Sequence, residues 1–208
     1  MTRRSFVLAA LAGLAGVMFA LPLWADEVLL QEIAARVADA PVLRAEFSQT
    51  KTLAALRKPF RLAGRFTYAR EAGVLWQVDT PYPARYLIGR EGMVEIGPDG
   101  QHRPQSGREA AGVARAGQIL QALLGADLAP LQSAFVLDAS RQGEGWRVTL
   151  TPRNAELARH LARIELAGHE AVEQVELFEG GGDHTEIRFT AIARDRQLDA
   201  AEAALFAR

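Results

Sequence analysis

Between Val42 and Pro83 the chain reads as three consecutive strand-like segments in which apolar and polar residues alternate, joined by short turn signals. Period two leaves little freedom, because successive side chains of a strand point to opposite faces. On the second segment Leu62, Gly64, Phe66, Tyr68 and Arg70 share one face, and Arg61, Ala63, Arg65, Thr67 and Ala69 share the other. Large rings therefore crowd one side of a sheet, and a guanidinium ends their row. Such a face is suited to hold something apolar while keeping one polar group at its edge.

The first residues set the compartment. Arg3 and Arg4 precede an apolar run from Phe6 to Leu23, followed by Trp24, Ala25 and the acidic pair Asp26 and Glu27. The run is rich in Ala and Gly and carries Pro22 near its end, which reads as a secretory signal cleaved after Ala25 rather than a membrane anchor. The expected organisation is a signal peptide over residues 1–25 and one domain over residues 26–208, exported to the periplasm. Thr2-Arg3-Arg4-Ser5-Phe6-Val7 also fits a twin-arginine signal, so the general and twin-arginine routes both stay open. With no cysteine the chain has no disulfide, thiolate nucleophile or lipid-modified cysteine, and its core alone must hold it. About 180 residues suffice for that in one domain. The formal net charge is −1 and lysine is nearly absent, so no basic stripe points to nucleic acid.

From Asp26 to Ala40, the positions of Val28, Leu29, Ile33, Ala34 and Val37 predict an amphipathic helix ending before Pro41. Strands are expected over Leu43–Thr52, Phe60–Arg70, Val74–Thr80, Ala84–Gly89 and Met93–Gly97, with turns short enough for an antiparallel meander. Between Glu109 and Ala134 the period becomes helical, with a break near residues 125–129. The sheet resumes over Phe135–Ser140, Trp146–Thr151, Leu161–Leu166, Val172–Phe178 and Thr185–Ala193, and a final helical turn follows over Asp199–Phe206. The expected fold is α+β and mostly β: a strongly curved antiparallel sheet forming an open, incomplete β-barrel, with helices as a lid over its concave apolar face.

Alternation places Phe47, Leu62, Phe66, Tyr68, Trp76, Val78, Tyr86 and Ile88 on that concave face, with Ile119, Leu120, Leu123 and Leu124 facing it from the central helix. Each alone reads as core. Together, wide rings with Arg70 at the end of their row make an interior that is hard to close without a polar partner. Arg70 has two readings. Its guanidinium snorkels to water and pairs with a surface carboxylate such as Glu71, or it reaches over the cavity mouth and hydrogen-bonds to carbonyls of the helical lid, gating it. Two or three such bonds at about 1.5–3 kcal/mol each could hold a lid shut, yet yield to an acyl chain at about 0.8 kcal/mol per buried methylene.

Phe47-Ser48-Gln49, Gly64-Arg65-Phe66-Thr67-Tyr68, Arg70, Leu75-Trp76 and Thr80-Pro81 resemble the opening half of the outer-membrane lipoprotein carrier proteins, the LolA-like family, and Thr149-Leu150-Thr151-Pro152-Arg153 is similar to a later strand of that family. The resemblance implies a lidded, incomplete barrel in the periplasm, a monomer without cofactor, which takes acylated lipoproteins from an inner-membrane ABC transporter and passes them to an outer-membrane receptor. It also implies that Arg70, matching the family's gating arginine, bonds to the lid. Glu71 stands where those carriers often have Pro, and the chain ends soon after Phe206 without their extended tail. Lys51-Thr52-Leu53 with Leu56-Arg57-Lys58-Pro59-Phe60 is closer to a divergent branch associated with envelope lipid or polyene biosynthesis, which widens the cargo beyond lipoproteins.

Two other classes compete. A periplasmic binding or scaffold protein for another amphiphile, a polyene or glycolipid, or for a protein partner, would use the same curved sheet. A hydrolase has less support, because His102, His160, His169 and His184 are scattered, no metal-pair spacing occurs, and no G-x-S-x-G elbow or phosphate-cradling loop is present. In Gly180-Gly181-Gly182-Asp183-His184 an Asp-His pair could orient a base, but a glycine run between two strands is most simply a hairpin loop. Catalytic residues, metal ligands and cofactors are accordingly expected to be absent.

Overall fold

The computed structural model describes residues 22–89, 92–104, 119, 121–122 and 128–207. Helix α1 spans Pro22–Val37. Six strands follow: β1 Val42–Thr52, β2 Phe60–Ala69, β3 Gly73–Thr80, β4 Ala84–Gly89, β5 Gly92–Ile96 and β6 His102–Pro104. After helix α2, Ala129–Ala134, come β7 Phe135–Gln142 and β8 Gly145–Pro152. The short helix α3, Ala155–Ala158, leads to β9 Leu161–Gly168, β10 Val172–Glu179, β11 His184–Asp195 and helix α4, Ala200–Phe206. The sequence-predicted strands all form, within a few residues at their ends. Helix α1 starts four residues before its expected Asp26, since a proline is tolerated in a first turn, where its missing N–H has no helical partner to lose.

All eleven strands join one antiparallel sheet in the order β6-β5-β4-β3-β2-β1-β11-β10-β9-β8-β7. It contains two meanders, β1 to β6 and β7 to β11, zipped together where β1 pairs with β11. β6 and β7 remain as edges, so the barrel is open. Its curl follows from what α1 touches. Arg70, just past the end of β2, bonds to the Ala38 carbonyl, and Arg141 near the end of β7 bonds to Glu32 at 2.6 Å. Those strands are six neighbours apart, about 29 Å in a flat sheet. Glu32 in α1 and Ala38 just past its end are six apart, about 9 Å along the axis. The sheet must bend around α1, helped by the register shifts at Arg44/Glu46 and Ala63/Gly64.

Registry confirms the alternation on β2, where Phe66 faces Trp76 across β3 and Ala45 across β1, and Tyr68 faces Val74 and Leu43. Gly64 is required by close approach, because a Cβ there would meet the Gln77 carbonyl oxygen at 1.9 Å and Phe47 at 3.0 Å. One apolar cluster fills the concave side, joining Leu30, Ile33 and Val37 of α1 and Leu131 of α2 to Val148, Leu150, Ile164 and Leu166 across the sheet.

The opposite face carries a second, smaller core that alternation on one face alone did not anticipate. Leu75, Leu87 and Ile96 are buried there beneath Leu205 and Phe206 of α4. Arg44 clamps the start of that helix through Glu202, donating from Nε to Oε1 at 2.7 Å and from Nη2 to Oε2 at 2.5 Å. Thr67 Oγ1 donates to the same carboxylate at 3.2 Å. Asp199 caps the helix, accepting from the Glu202 N–H at 2.7 Å while its own N–H donates back at 3.1 Å. Thus α1 and α2 cover the concave side and α4 covers the convex one.

Candidate functional site

Phe47, Phe66 and Trp76 are brought into one aromatic group by β1, β2 and β3. Trp76 lies 4.1 Å from Phe47 in a tilted contact and 5.9 Å from Phe66 edge-on. A fourth ring, Phe189 of β11, completes the group at 5.1 Å from Phe66 and 6.2 Å from Trp76. Phe189 was missing from the expected set, although Thr185, Ile187 and Phe189 alternate with charged residues in a way that points them to one face. Its ladder partner is Phe47, which in turn sits opposite Gly64. The missing side chain at Gly64 makes room for the Phe47 ring, the usual way a glycine in a strand is compensated.

Tyr68, Val78, Ile88 and Ile119 are buried in the same cluster, and Leu62, Trp76 and Tyr86 are half-buried against it. Leu120, Leu123 and Leu124 lie outside the described residues. Phe47 and Phe66 are 3% and 2% exposed, so the rings pack on one another within the concave cluster. Edge-on and tilted ring pairs contribute about 0.5–1.5 kcal/mol beyond the area they bury. A saturated chain laid against rings can replace such contacts without leaving any hydrogen bond unmade, because the four rings meet only through ring contacts among the described residues.

The polar element sits where α1 ends. Arg70 Nη2 donates to the Ala38 carbonyl, and the Arg70 backbone N–H donates to Pro41 O at 3.0 Å. Burial pushes the Tyr68 phenol above its ordinary range, and the neighbouring Arg70 guanidinium opposes that shift. A second arginine, unexpected from sequence, works alongside. Arg194 Nη2 donates to the Glu170 carbonyl and, at 3.4 Å, to the Arg36 carbonyl in the last turn of α1. Cations at a helix C-terminus complement its dipole and satisfy carbonyls that the helix leaves open. Arg36 adds an ion pair to Glu170 at 3.7 Å. The end of α1 is thereby tied to β2 on one side and to the β9–β10 turn and β11 on the other.

The segment weighed for catalysis has other work. Asp183 Oδ1 accepts from the Ala54 N–H at 2.8 Å, and His184 stacks on Phe178 at 4.6 Å and meets Glu176 at 3.0 Å, so Asp183 and His184 serve separate partners. His169 pairs with Glu173 at 3.1 Å. Among the described residues no three His, Asp or Glu side chains gather in a way that could hold a metal ion, and no helix is long and apolar enough to cross a membrane.

The outer-membrane lipoprotein carrier protein of Dechloromonas aromatica (strain RCB) is 28% identical over 186 residues, covering 87% of this chain and 85% of that protein. Among solved structures, a DUF1329 family protein from Desulfovibrio piger aligns with 13% identity and TM-score 0.48 over 86% of this chain and 96% of that one. A LolA superfamily protein from Nitrosomonas europaea aligns with 8% identity and TM-score 0.47 over 84% and 95%. The family model described as Outer membrane lipoprotein carrier protein LolA matches residues 38–206, from the end of α1 through β1 to α4, and the chain belongs to that family.

Proposed function

We propose that the protein is a periplasmic carrier that lodges the acyl chains of lipoproteins, or of a related envelope lipid, between the aromatic concave face and α1, and shuttles them from the inner to the outer membrane. The mature domain begins at Asp26, after removal of residues 1–25. Cargo is taken from an inner-membrane ABC transporter and delivered to an outer-membrane receptor. Phe47, Leu62, Phe66, Tyr68, Trp76, Val78, Tyr86, Ile88 and Ile119, with Leu120, Leu123 and Leu124, form the acyl-binding wall, and Arg70 gates it. Family membership supports the carrier class. The observation that carries the reading is the Arg70 hydrogen bond to the Ala38 carbonyl, a breakable polar tie at the end of a helix that sets Leu30, Ile33 and Val37 into the concave cluster.

Native mass spectrometry of protein purified from periplasm is expected to show bound lipid or lipoprotein, and a fluorescent acyl probe should bind with one equivalent and be displaced by an acylated lipopeptide. Absence of copurifying lipid together with no probe uptake would remove the carrier reading. It would leave a scaffold that uses the same sheet for a protein partner, the reading favoured by the tight mutual packing of the four rings.

A further inference from the structure

Five large apolar side chains are exposed among the described residues, and three of them share one corner of the molecule. Leu56 and Phe60, 49% and 54% exposed, lie on the β1–β2 hairpin, and Tyr82, 83% exposed, lies on the β3–β4 loop. The register puts the two loops side by side, since Phe60 opens β2 and Ala63 faces Thr80, the last residue of β3. Phe60 also continues the concave row outward past Leu62, so this corner is the rim of the trough, at the end opposite Arg70.

The same corner is basic. The chain's lysines, Lys51 and Lys58, both belong to this hairpin, together with Arg57 and Arg61. Lys51 is paired with Glu179 at 3.2 Å, whereas Arg57, Lys58 and Arg61 are exposed and make no ion pair among the described residues. Acids on the neighbouring strands are already engaged: Asp79 with Arg65 at 3.2 Å, Glu186 with Arg188 at 2.5 Å, and Asp183 with the Ala54 N–H at 2.8 Å. An exposed patch of this kind marks an interaction surface rather than a fold requirement. Interspersed rings and cations fit one surface better than any other, an anionic bilayer, where cations meet phosphates and apolar side chains enter the headgroup boundary.

We propose that the β1–β2 hairpin tip, with Tyr82 beside it, docks the rim of the trough onto an anionic lipid surface, with Leu56, Phe60 and Tyr82 inserting and Arg57, Lys58 and Arg61 lying against the headgroups. This goes beyond acyl binding and stands without it, since it needs only the outside of the hairpin. Docking here brings the open end of the concave face to a membrane while the Arg70 end stays in water.

Flotation of the purified protein with vesicles tests it. Vesicles of phosphatidylglycerol mixed with phosphatidylcholine should carry the protein, phosphatidylcholine alone should carry far less, and raised salt should release it. Phe60→Ser should lower partitioning roughly tenfold, as partial loss of a buried ring implies. Lys58→Glu should lower it about fivefold or more. Both sites are exposed, and acyl-probe uptake should stay unchanged in Lys58→Glu, which lies outside the acyl-binding row. Absence of flotation, equal flotation on both vesicle types, or loss with Lys58→Glu but none with Phe60→Ser would overturn the proposal. Flotation retained by a protein that takes up no acyl probe would instead sink the carrier reading and leave this one standing.

Discussion

Replacing Arg70 with leucine tests the gate through its thermodynamics. The substitution removes the guanidinium that donates to the Ala38 carbonyl and leaves the Arg70 backbone N–H on Pro41 in place. A buried hydrogen bond to a charged group contributes about 1.5–3 kcal/mol, but this one is open to water, which brings it to about 1 kcal/mol. That is roughly a fivefold shift toward the state with the end of α1 released. Hydrogen exchange at the amides of Val37 and Ala38 should accelerate by that factor, the latter being bonded to Ala34 O at 2.9 Å in the closed state. Because apparent affinity scales with the fraction of protein competent to bind, Arg70→Leu should tighten acyl-probe binding about fivefold and slow release. Arg194→Leu should act similarly through the Arg36 carbonyl, and the double variant should reach about 25-fold if the two ties are independent. Arg65→Leu, which breaks only the outer-face pair with Asp79, should alter neither readout. Unchanged exchange and probe affinity in the Arg70 and Arg194 variants would refute gating by these arginines.

Further outcomes follow from the packing and the charges. Phe66→Ala empties a site in contact with Trp76 and Phe189 and should destabilise the fold by about 3–5 kcal/mol, read as a lower urea midpoint. Gly64→Ala sets a methyl against the Gln77 carbonyl and should cost about 2 kcal/mol or more, whereas Gly181→Ala, with nothing within 4 Å, should be near neutral in the same titration. The Arg44 guanidinium holds the Glu202 carboxyl below the ordinary carboxylate range, so the attachment of α4 is fully present above that range and is lost as pH falls through the lowered folded value. Exchange at the Leu205 and Phe206 amides should therefore rise in acid, and Glu202→Gln should abolish that pH dependence; an identical acid transition in the variant would exclude Glu202 as its source.

Local periodicity made most of the sheet legible. Phe47, Phe66 and Trp76 could be assigned to one face because a strand offers only two, and the structure places their rings together. β6 escaped notice because His102–Pro104 is too short to show a period. The convex core also escaped, though its signal was present: Val74-Leu75-Trp76 and Tyr86-Leu87-Ile88 are apolar on both parities, the mark of strands covered on both sides. Searching those runs for a second cover would have led to Leu205 and Phe206. The arginine ties were a different matter. Arg70 reaches a carbonyl 32 residues away and Arg194 one 158 residues away, and neither partner has a side-chain identity for the sequence to display.

The proposed exchange sets two large apolar terms against each other. Lifting α1 would uncover Leu30, Ile33 and Val37, now 6%, 6% and 3% exposed, at about 1.5–3 kcal/mol each, or about 5–9 kcal/mol together. Spontaneous opening is therefore rare. A single acyl chain of about sixteen carbons, at about 0.8 kcal/mol per methylene, offers about 12 kcal/mol and more than replaces what the helix gives up. Apolar surface is traded for apolar surface with a margin of about 3–7 kcal/mol toward the bound chain, and directional bonds of about 1 kcal/mol each adjust that margin. The Arg70 bond to the Ala38 carbonyl and the Arg194 bond to the Arg36 carbonyl act on that difference, because they form only when α1 is down and bring no competing affinity for hydrocarbon. Substitutions of the rings should change stability far more than selectivity between open and closed states, and substitutions of the two arginines should do the reverse.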